Sequence, residues 1–271
     1  MTNAAYATHG QFRPAGPQSP DQAGMPNTPV LALIALITPT ALWMEFNLIG
    51  RIFAPELILI GLLPFLLLPL ATVVDVGANV GQFSLLVRAL HADAMIVAFE
   101  PLPDAAARYR QVFADDKRVV LHEAAVSPER GTATMHISAS ADSSSLLPIS
   151  DRQSELFPGT EEVGTADVEV GPLDAFVAGE LVTAPAMLKI DVQGFELEVL
   201  RGSVSLLAAF DYVYVEASFE ALYEDQALFD DVAAFLKEQG FVEEGRYNVA
   251  HTAEGTPIQA DFLFHRNHAV G

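Results

Sequence analysis

Two carboxylates and a pair of glycines pose the first chemical question in this chain. Asp75 closes the β-branched run Thr72–Val76, Gly77 and Gly81 bracket a turn that holds Ala78 and Asn79, and Glu100 ends a second apolar run, residues 94–99. Glycine admits positive φ and lets a ligand reach the backbone with no Cβ in the way. Phe83, Leu86, Val87 and Leu90 recur at helical spacing just beyond, so a helix starts there with free N–H groups at its head. Glu100 follows Gly81 by 19 residues. An acid at about that distance, on the tip of the next strand, is placed to bind ribose hydroxyls.

A dinucleotide site begins with a similar strand, turn and helix, and the spacing separates the two. The dinucleotide fingerprint is G-x-G-x-x-G with a pyrophosphate on the helix. Here the run is D-x-G-x-N-x-G, with Asn79 where the second close-approach glycine would stand. Asp75 suits a positively charged amine better than a pyrophosphate. A ligand with an amino-acid end, a ribose and no pyrophosphate is S-adenosylmethionine. The plain alternative is a tight turn followed by a solvated glutamate.

The elements that must position these residues are written in the rest of the chain. Of its 271 residues 51% are apolar and 18% charged, enough for a sizeable buried core in one large domain with an appendage, or in two small domains. Cysteine is absent, which excludes disulfides, thiolate metal sites and cysteine nucleophiles. The net charge is −21, and residues 1–90, with four acids against three bases, leave −20 of it to residues 91–271. Such a surface repels phosphate backbones, so nucleic acid is not an expected partner. It also suits a high-salt cytoplasm, where charge repulsion is screened.

Residues 1–29 are rich in Pro, Gly, Gln, Ala and Asn without apolar periodicity and read as a disordered tail. They lack the basic start and apolar run of a secretory signal, so the expected location is cytoplasmic. Residues 30–71 read as an apolar helical N-terminal cap. A bilayer span needs roughly 20 apolar residues. Residues 30–44 are interrupted by Pro39, and residues 57–74 by Pro64 and Pro69, so broken helices packed over one end of the sheet are the leading reading of this cap, with peripheral contact with a membrane surface and then a true span as the alternatives.

From residue 72 strands alternate with helices. A helix is expected over 104–113, a strand over 119–122 followed by 124–126, and extra β segments at 131–138 and 167–170. The Ser-rich residues 139–145 and the polar residues 150–165 read as loops. Residues 187–191 form a short buried strand, 196–201 a helix ended by Gly202, and 212–216 the next strand. Asp225 starts a helix that turns Phe229, Val232, Ala233 and Leu236 inward until Gly240, and 241–243 with 259–265 close the sheet as a hairpin. The fold class is α/β, a mostly parallel sheet with a C-terminal antiparallel hairpin strand.

The segments DVGANVGQFS, AFEP, AAVS, LKIDVQGFELEVLRG and QADFLFHR, in this order, resemble FkbM-type S-adenosylmethionine-dependent methyltransferases. The likeness covers about residues 53–266 and includes the FAPEL segment ahead of the first strand. It implies a Rossmann-like class I methyltransferase fold with a seven-stranded sheet over residues 72–267, and O-methylation of a hydroxyl on a sugar, glycolipid or natural product. One departure is visible: Gln193 stands where the family commonly has glutamate in K-I-D-V-E-G.

Ligands of such a sheet bind at the carboxyl ends of its strands. The methionine end and its backbone cradle fall to Asp75, Gly77, Ala78, Asn79 and Gly81, the ribose to Glu100, and the adenine side to Pro101, Glu123 and Ala124. Methyl transfer from a sulfonium needs an aligned nucleophile and a base, and the candidates are Asp191, Lys189, Glu196 and Glu216. Lys189 and Asp191 are two apart and share one strand face; the lysine either orients Asp191, stabilises an oxyanion, or simply ties elements together. Glu196 doubles as a helix-start carboxylate, and Glu216 as a hydrogen-bond acceptor for substrate. By family analogy residues 142–145 face the ligand. His122 reads as a core histidine or an alternative base. His265 and His268 lie near the terminus without a carboxylate pair, so no metal is expected. The competing readings are a nicotinamide-dependent oxidoreductase and a non-catalytic, membrane-associated protein that keeps the fold.

Overall fold

The computed structural model describes residues 68–267. The expected tail at 1–29, all but the last residues of the cap at 30–71, and His268 lie outside the described residues. In chain order the elements are β1 (Thr72–Val76), α1 (Gln82–Leu90), β2 (Met95–Phe99), α2 (Pro103–Val112), β3 (Val119–His122), β4 (Ala125–Val126), β5 (Gly131–Ser138), α3 (Asp151–Leu156), β6 (Glu162–Gly171), β7 (Ala186–Ile190), α4 (Glu196–Gly202), α5 (Val204–Leu207), β8 (Tyr212–Ser218), α6 (Phe229–Glu238), β9 (Phe241–His251) and β10 (Pro257–Arg266).

Seven strands form one sheet in the order β3-β2-β1-β7-β8-β10-β9. Only β10 runs antiparallel to its neighbours β8 and β9; the other pairs are parallel. The order reverses beside β1, and that switch point is where a crevice opens at the strand tips. β1 and β7 are buried along their whole length because helices cover both faces, which is why their sequences are continuous apolar runs rather than alternations. Val73, Ile96 and Met187 face α1 with Val87. Val74, Leu188, Val213 and Phe264 form the opposite core with Leu200, Val232 and Leu236 of the following helices.

A second, three-stranded sheet, β4-β6-β5, is the insertion anticipated from residues 131–138 and 167–170. β6 is longer than expected, starting at Glu162. Its first half is solvent-exposed and pairs with β5 through the backbone, so no apolar alternation announces it. The polar stretch 150–165 also contains α3, whose N-cap Ser150 accepts the Gln153 N–H at 3.3 Å as capping serines do. α6 begins at Phe229, not Asp225, because Asp225 has φ 57° and stands outside the helical region. β9 runs to His251, well past the expected 241–243, as a mostly exposed edge strand. Among the described residues no helix is long and apolar enough to cross a membrane.

Candidate functional site

The tips of β1, β2 and β7 surround a cleft of ≈650 Å³ that opens to solvent. Its wall includes Gly77, Asn79, Glu100, Pro101 and Ala124 from the cofactor candidates, and Asp191 from the base candidates. Asn79, at φ 48°, takes the left-handed conformation that asparagine tolerates. Its N–H donates to Glu100 Oε2 at 2.9 Å, and the Leu102 N–H donates to Oε1 at 2.8 Å. Burial raises the Glu100 pKa, against the pull of these two bonds. A carboxylate has about four acceptor positions, so Glu100 is fixed by the backbone and keeps lone pairs for hydroxyl donors in the cleft. The far wall is apolar, with Leu102, Val126, Met135 and Phe195. Asp142 and Ser144, in the short turn after β5, complete it. A carboxylate with spare acceptors beside an apolar slot fits a nucleoside.

Asp75 sits beneath the cleft instead of in its wall. The side chain is fully buried; Ser84 Oγ donates to Oδ2 at 2.7 Å, and Lys189 Nζ lies 3.1 Å from Oδ1. Tyr109 OH donates in turn to Ser84 Oγ at 2.8 Å. Lys189 also donates to Gly77 O at 2.9 Å, lies 3.7 Å from Asp191 Oδ2 and stands over the Phe83 ring at 5.6 Å. Burial works to discharge this ammonium, but the Asp75 and Asp191 charges raise its pKa overall. Both oxygens of Asp75 are thus engaged inside the protein. The glycines are constrained in the same way. A Cβ on Gly77 would stand 1.8 Å from Asp191 O, and one on Gly81 2.8 Å from the Phe113 ring. Ala78 is buried, its N–H donating to Phe99 O at 2.9 Å.

Beyond Asp191 the base candidates separate. Asp191 has a side chain 40% exposed, in the cleft wall. Glu196 is buried, and its Oε1 accepts the Gly194 N–H at 2.9 Å and the Val192 N–H at 3.3 Å, so it ties the loop to α4. Burial pushes its pKa up to about 7. Glu216 accepts Gln193 Nε2 at 2.9 Å and Gln259 Nε2 at 3.1 Å. Burial, then the charges of Asp191 and Asp261, raise its pKa well above the ordinary range. Asp261, paired with Glu216 across β8 and β10, accepts Tyr214 OH at 2.9 Å and Asn248 Nδ2 at 2.6 Å, and burial pushes its pKa to about 6.

Glu123 points away from the cleft to Arg110. His122 stacks on Phe99 at 5.0 Å, and burial lowers its pKa. His265 lies 3.6 Å from Glu244. Among the described residues no group of three or more His, Asp or Glu side chains is arranged to hold a metal ion. Three residues next to the cleft were not singled out as site residues from the sequence: Gln193, Tyr223 and Asp261. Tyr223 acquires meaning through Gln193 and Ser143, and Asp261 through Tyr214 and its sheet partner Glu216, all distant in the chain. Gln193 carried a visible signal, as the departure from the family pattern.

The family model described as Methyltransferase FkbM domain matches residues 75–243. The 2-O-methyltransferase NoeI of Sinorhizobium fredii is 30% identical over 165 residues, 58% of this chain and 68% of that protein. The hexuronic acid methyltransferase AglP of Haloferax volcanii is 30% identical over 146 residues, 52% of this chain and about half, 54%, of that protein. Among solved structures, magnesium protoporphyrin IX methyltransferase of Synechocystis, with bound SAM, superposes with TM-score 0.41 and 14% identity over 76% of this chain and 74% of that one. A riboflavin-analogue dimethyltransferase of Streptomyces davawensis gives 0.44 and 13% over 84% and 57%.

Proposed function

The chain belongs to the FkbM methyltransferase family, and on that premise we propose that it uses S-adenosylmethionine to methylate a hydroxyl of a small acceptor, a sugar or natural product. The observation that carries the cofactor assignment is Glu100, a carboxyl in the cleft wall pinned by the Asn79 and Leu102 N–H groups. The cofactor supplies a methyl group on a sulfonium, already a good leaving group. Glu100 binds the ribose hydroxyls, the backbone from Gly77 to Asn79 faces the amino-acid end, and Pro101 and Ala124 border the adenine. Asp75 acts at one remove, through Lys189, to hold the β1 and β7 tips in place.

Asp191 is the base. It is the one base candidate in the cleft wall among the described residues, and it would take the acceptor's hydroxyl proton as the C–O bond to the methyl forms and the methyl C–S bond breaks, leaving a neutral thioether. Glu196 and Glu216 are engaged by the loop and by two amides, and Lys189 stays a cation. The names of the two relatives, a 2-O-methyltransferase and a hexuronic acid methyltransferase, support an oxygen acceptor on a sugar.

Thermal unfolding with each cofactor tests the first half of this reading, since a ligand that binds only the folded state raises Tm. S-adenosylmethionine is expected to raise it and NAD not; the reverse result overturns the assignment. Radiolabelled methyl transfer to a panel of sugars tests the second half. An ether product survives mild alkali, whereas label lost to alkali marks a carboxyl ester and refutes transfer to a hydroxyl.

A further inference from the structure

The loop that follows β7 carries a non-glycine residue in the left-handed region, Gln193 at φ 58°, directly before Gly194 at φ 99°. A long side chain does not rest there without partners to hold it. Gln193 has four. Its Nε2 donates to Asp191 Oδ1 at 2.7 Å and to Glu216 Oε2 at 2.9 Å, its Oε1 lies 3.1 Å from Tyr223 OH, and its backbone carbonyl accepts Ser145 Oγ at 2.6 Å. Both amide protons thus face carboxyl groups, and the oxygen faces the Tyr223 hydroxyl, which also lies 3.0 Å from Ser143 O. The opposite amide orientation would press an oxygen against both acids, so the environment allows one assignment. Tyr223 closes the arrangement from the other side, its ring lying against Gly194, where a Cβ would come within 3.0 Å.

We infer that Gln193 is a positioning residue whose neutral amide holds the Asp191 carboxylate in the cleft wall beside Glu216. The inference rests on the methyl-transfer reading above for the role of Asp191. Around Asp191 stand Lys189 from its own strand, Glu196 from α4, Glu216 from β8 and Asp261 from β10, with Tyr223 reached through the amide. Lys189 lies beside Asp191, and its ammonium is already bonded to Asp75 and Gly77 O. The two donors of Gln193 bridge Asp191 and Glu216, and Gln259 Nε2 supplies a further donor to Glu216 at 3.1 Å. No other side chain of this length offers two N–H groups and an acceptor without charge. A glutamate at 193 would remove both donors and add a further negative charge.

The test compares Gln193→Glu and Tyr223→Phe with the parent protein. In Gln193→Glu the added carboxyl must ionise beside two others. Its stability without cofactor is therefore expected to fall relative to the parent as pH rises from 5 to 8. The acid limb of kcat/KM should move up by about one pH unit, as a like charge near a base demands. kcat should fall by at least about 10-fold, while the S-adenosylmethionine Kd from calorimetry changes less than about threefold. Tyr223→Phe frees the amide oxygen without changing charge, and is expected to lower kcat in the same direction by a smaller factor, with Kd retained. A Gln193→Glu protein with the parent's pH profile and kcat, or one whose loss lies wholly in Kd, overturns the inference. A parent that binds no S-adenosylmethionine refutes the methyl-transfer reading instead, and the pH dependence of unfolding in Gln193→Glu still tests the amide's place between the two carboxylates.

Discussion

Lys189 Nζ lies 3.1 Å from Asp75 Oδ1 and donates to Gly77 O at 2.9 Å, so one ammonium joins the end of β1 to its neighbour β7 beneath the cleft floor. The two residues are direct partners in the parallel register, and both are buried. Ser84 and Tyr109 extend the chain of bonds to α1 and α2. Four elements are thereby locked at the point where the strand order reverses.

A buried pair of this kind is costly to break from one side. Lys189→Met leaves the Asp75 carboxylate with the Ser84 hydroxyl alone, and is expected to lower the unfolding free energy by about 3–5 kcal/mol. Adding Asp75→Asn removes the stranded charge and should restore most of that loss. Urea unfolding of both single variants and the double variant measures the coupling; strictly additive losses would show that the two charges do not act as a pair.

Gly77 is needed for a reason other than ligand approach. Its φ is 78°, and a Cβ there would overlap the Asp191 carbonyl at 1.8 Å. Gly77→Ala must strain the backbone and push the β7 tip away, with an expected loss of at least about 2 kcal/mol. Gly164→Ala is the control. Nothing lies within 4 Å of a Cβ at that position, so its stability should stay within about 0.5 kcal/mol of the parent. Equal Tm values for the two variants would contradict the packing described for the β1 tip.

The strand Thr72–Val76, the turn after it, the acid on the next strand tip and the antiparallel closing hairpin were all legible in the sequence. Their signals are local: β-branched runs, glycines, and helical spacing. Three features were not. The outer half of β6 and most of β9 are exposed strands held by backbone pairing, and their side chains carry no alternation. Asp261 looked like one more residue of a C-terminal strand, and acquires meaning from its pairing with Glu216 across the sheet. Asp75 and Gly77 stand out locally as strand-tip residues, yet their partners Lys189 and Asp191 are more than 110 residues away. A tip residue can be recognised locally, whereas the direction its side chain takes depends on the neighbouring strand.

Glu196 gives a pH test. Its usual carboxyl pKa is 4.5 and burial pushes the folded value to about 7, so the folded state binds a proton more tightly than the unfolded one. Stability is therefore undiminished below pH 4.5 and is lost as pH rises toward 7. At 1.36 kcal/mol per pH unit the loss is on the order of 3 kcal/mol. Glutamine can keep both backbone bonds, from Gly194 and Val192, without the charge. Glu196→Gln should thus be more stable than the parent at pH 8 and close to it at pH 4.5. Chemical denaturation at the two pH values decides; a variant that is less stable at pH 8 would mean the ionised carboxylate is worth more to the loop than its burial costs.

Glu100 carries the last prediction, because it links the backbone of the glycine turn to the cleft. Its two oxygens each accept a backbone N–H, from Asn79 and Leu102, so neither position tolerates a donor. Glu100→Gln places an NH₂ against one of those N–H groups and removes the charge that the hydroxyls of a ribose would meet. S-adenosylmethionine affinity should drop by about 10- to 100-fold, the equivalent of about 1.5–3 kcal/mol for a hydrogen bond to a charged group. Protonation of the native carboxylate removes an acceptor in the same way. Since burial raises its pKa, parent affinity should weaken as pH falls through a window above the ordinary glutamate value, while affinity in Glu100→Gln stays level across it. Calorimetric titrations between pH 4.5 and 8 separate the cases. A variant with parent-like affinity at pH 8 would remove Glu100 from the ribose and leave it as a brace for the turn.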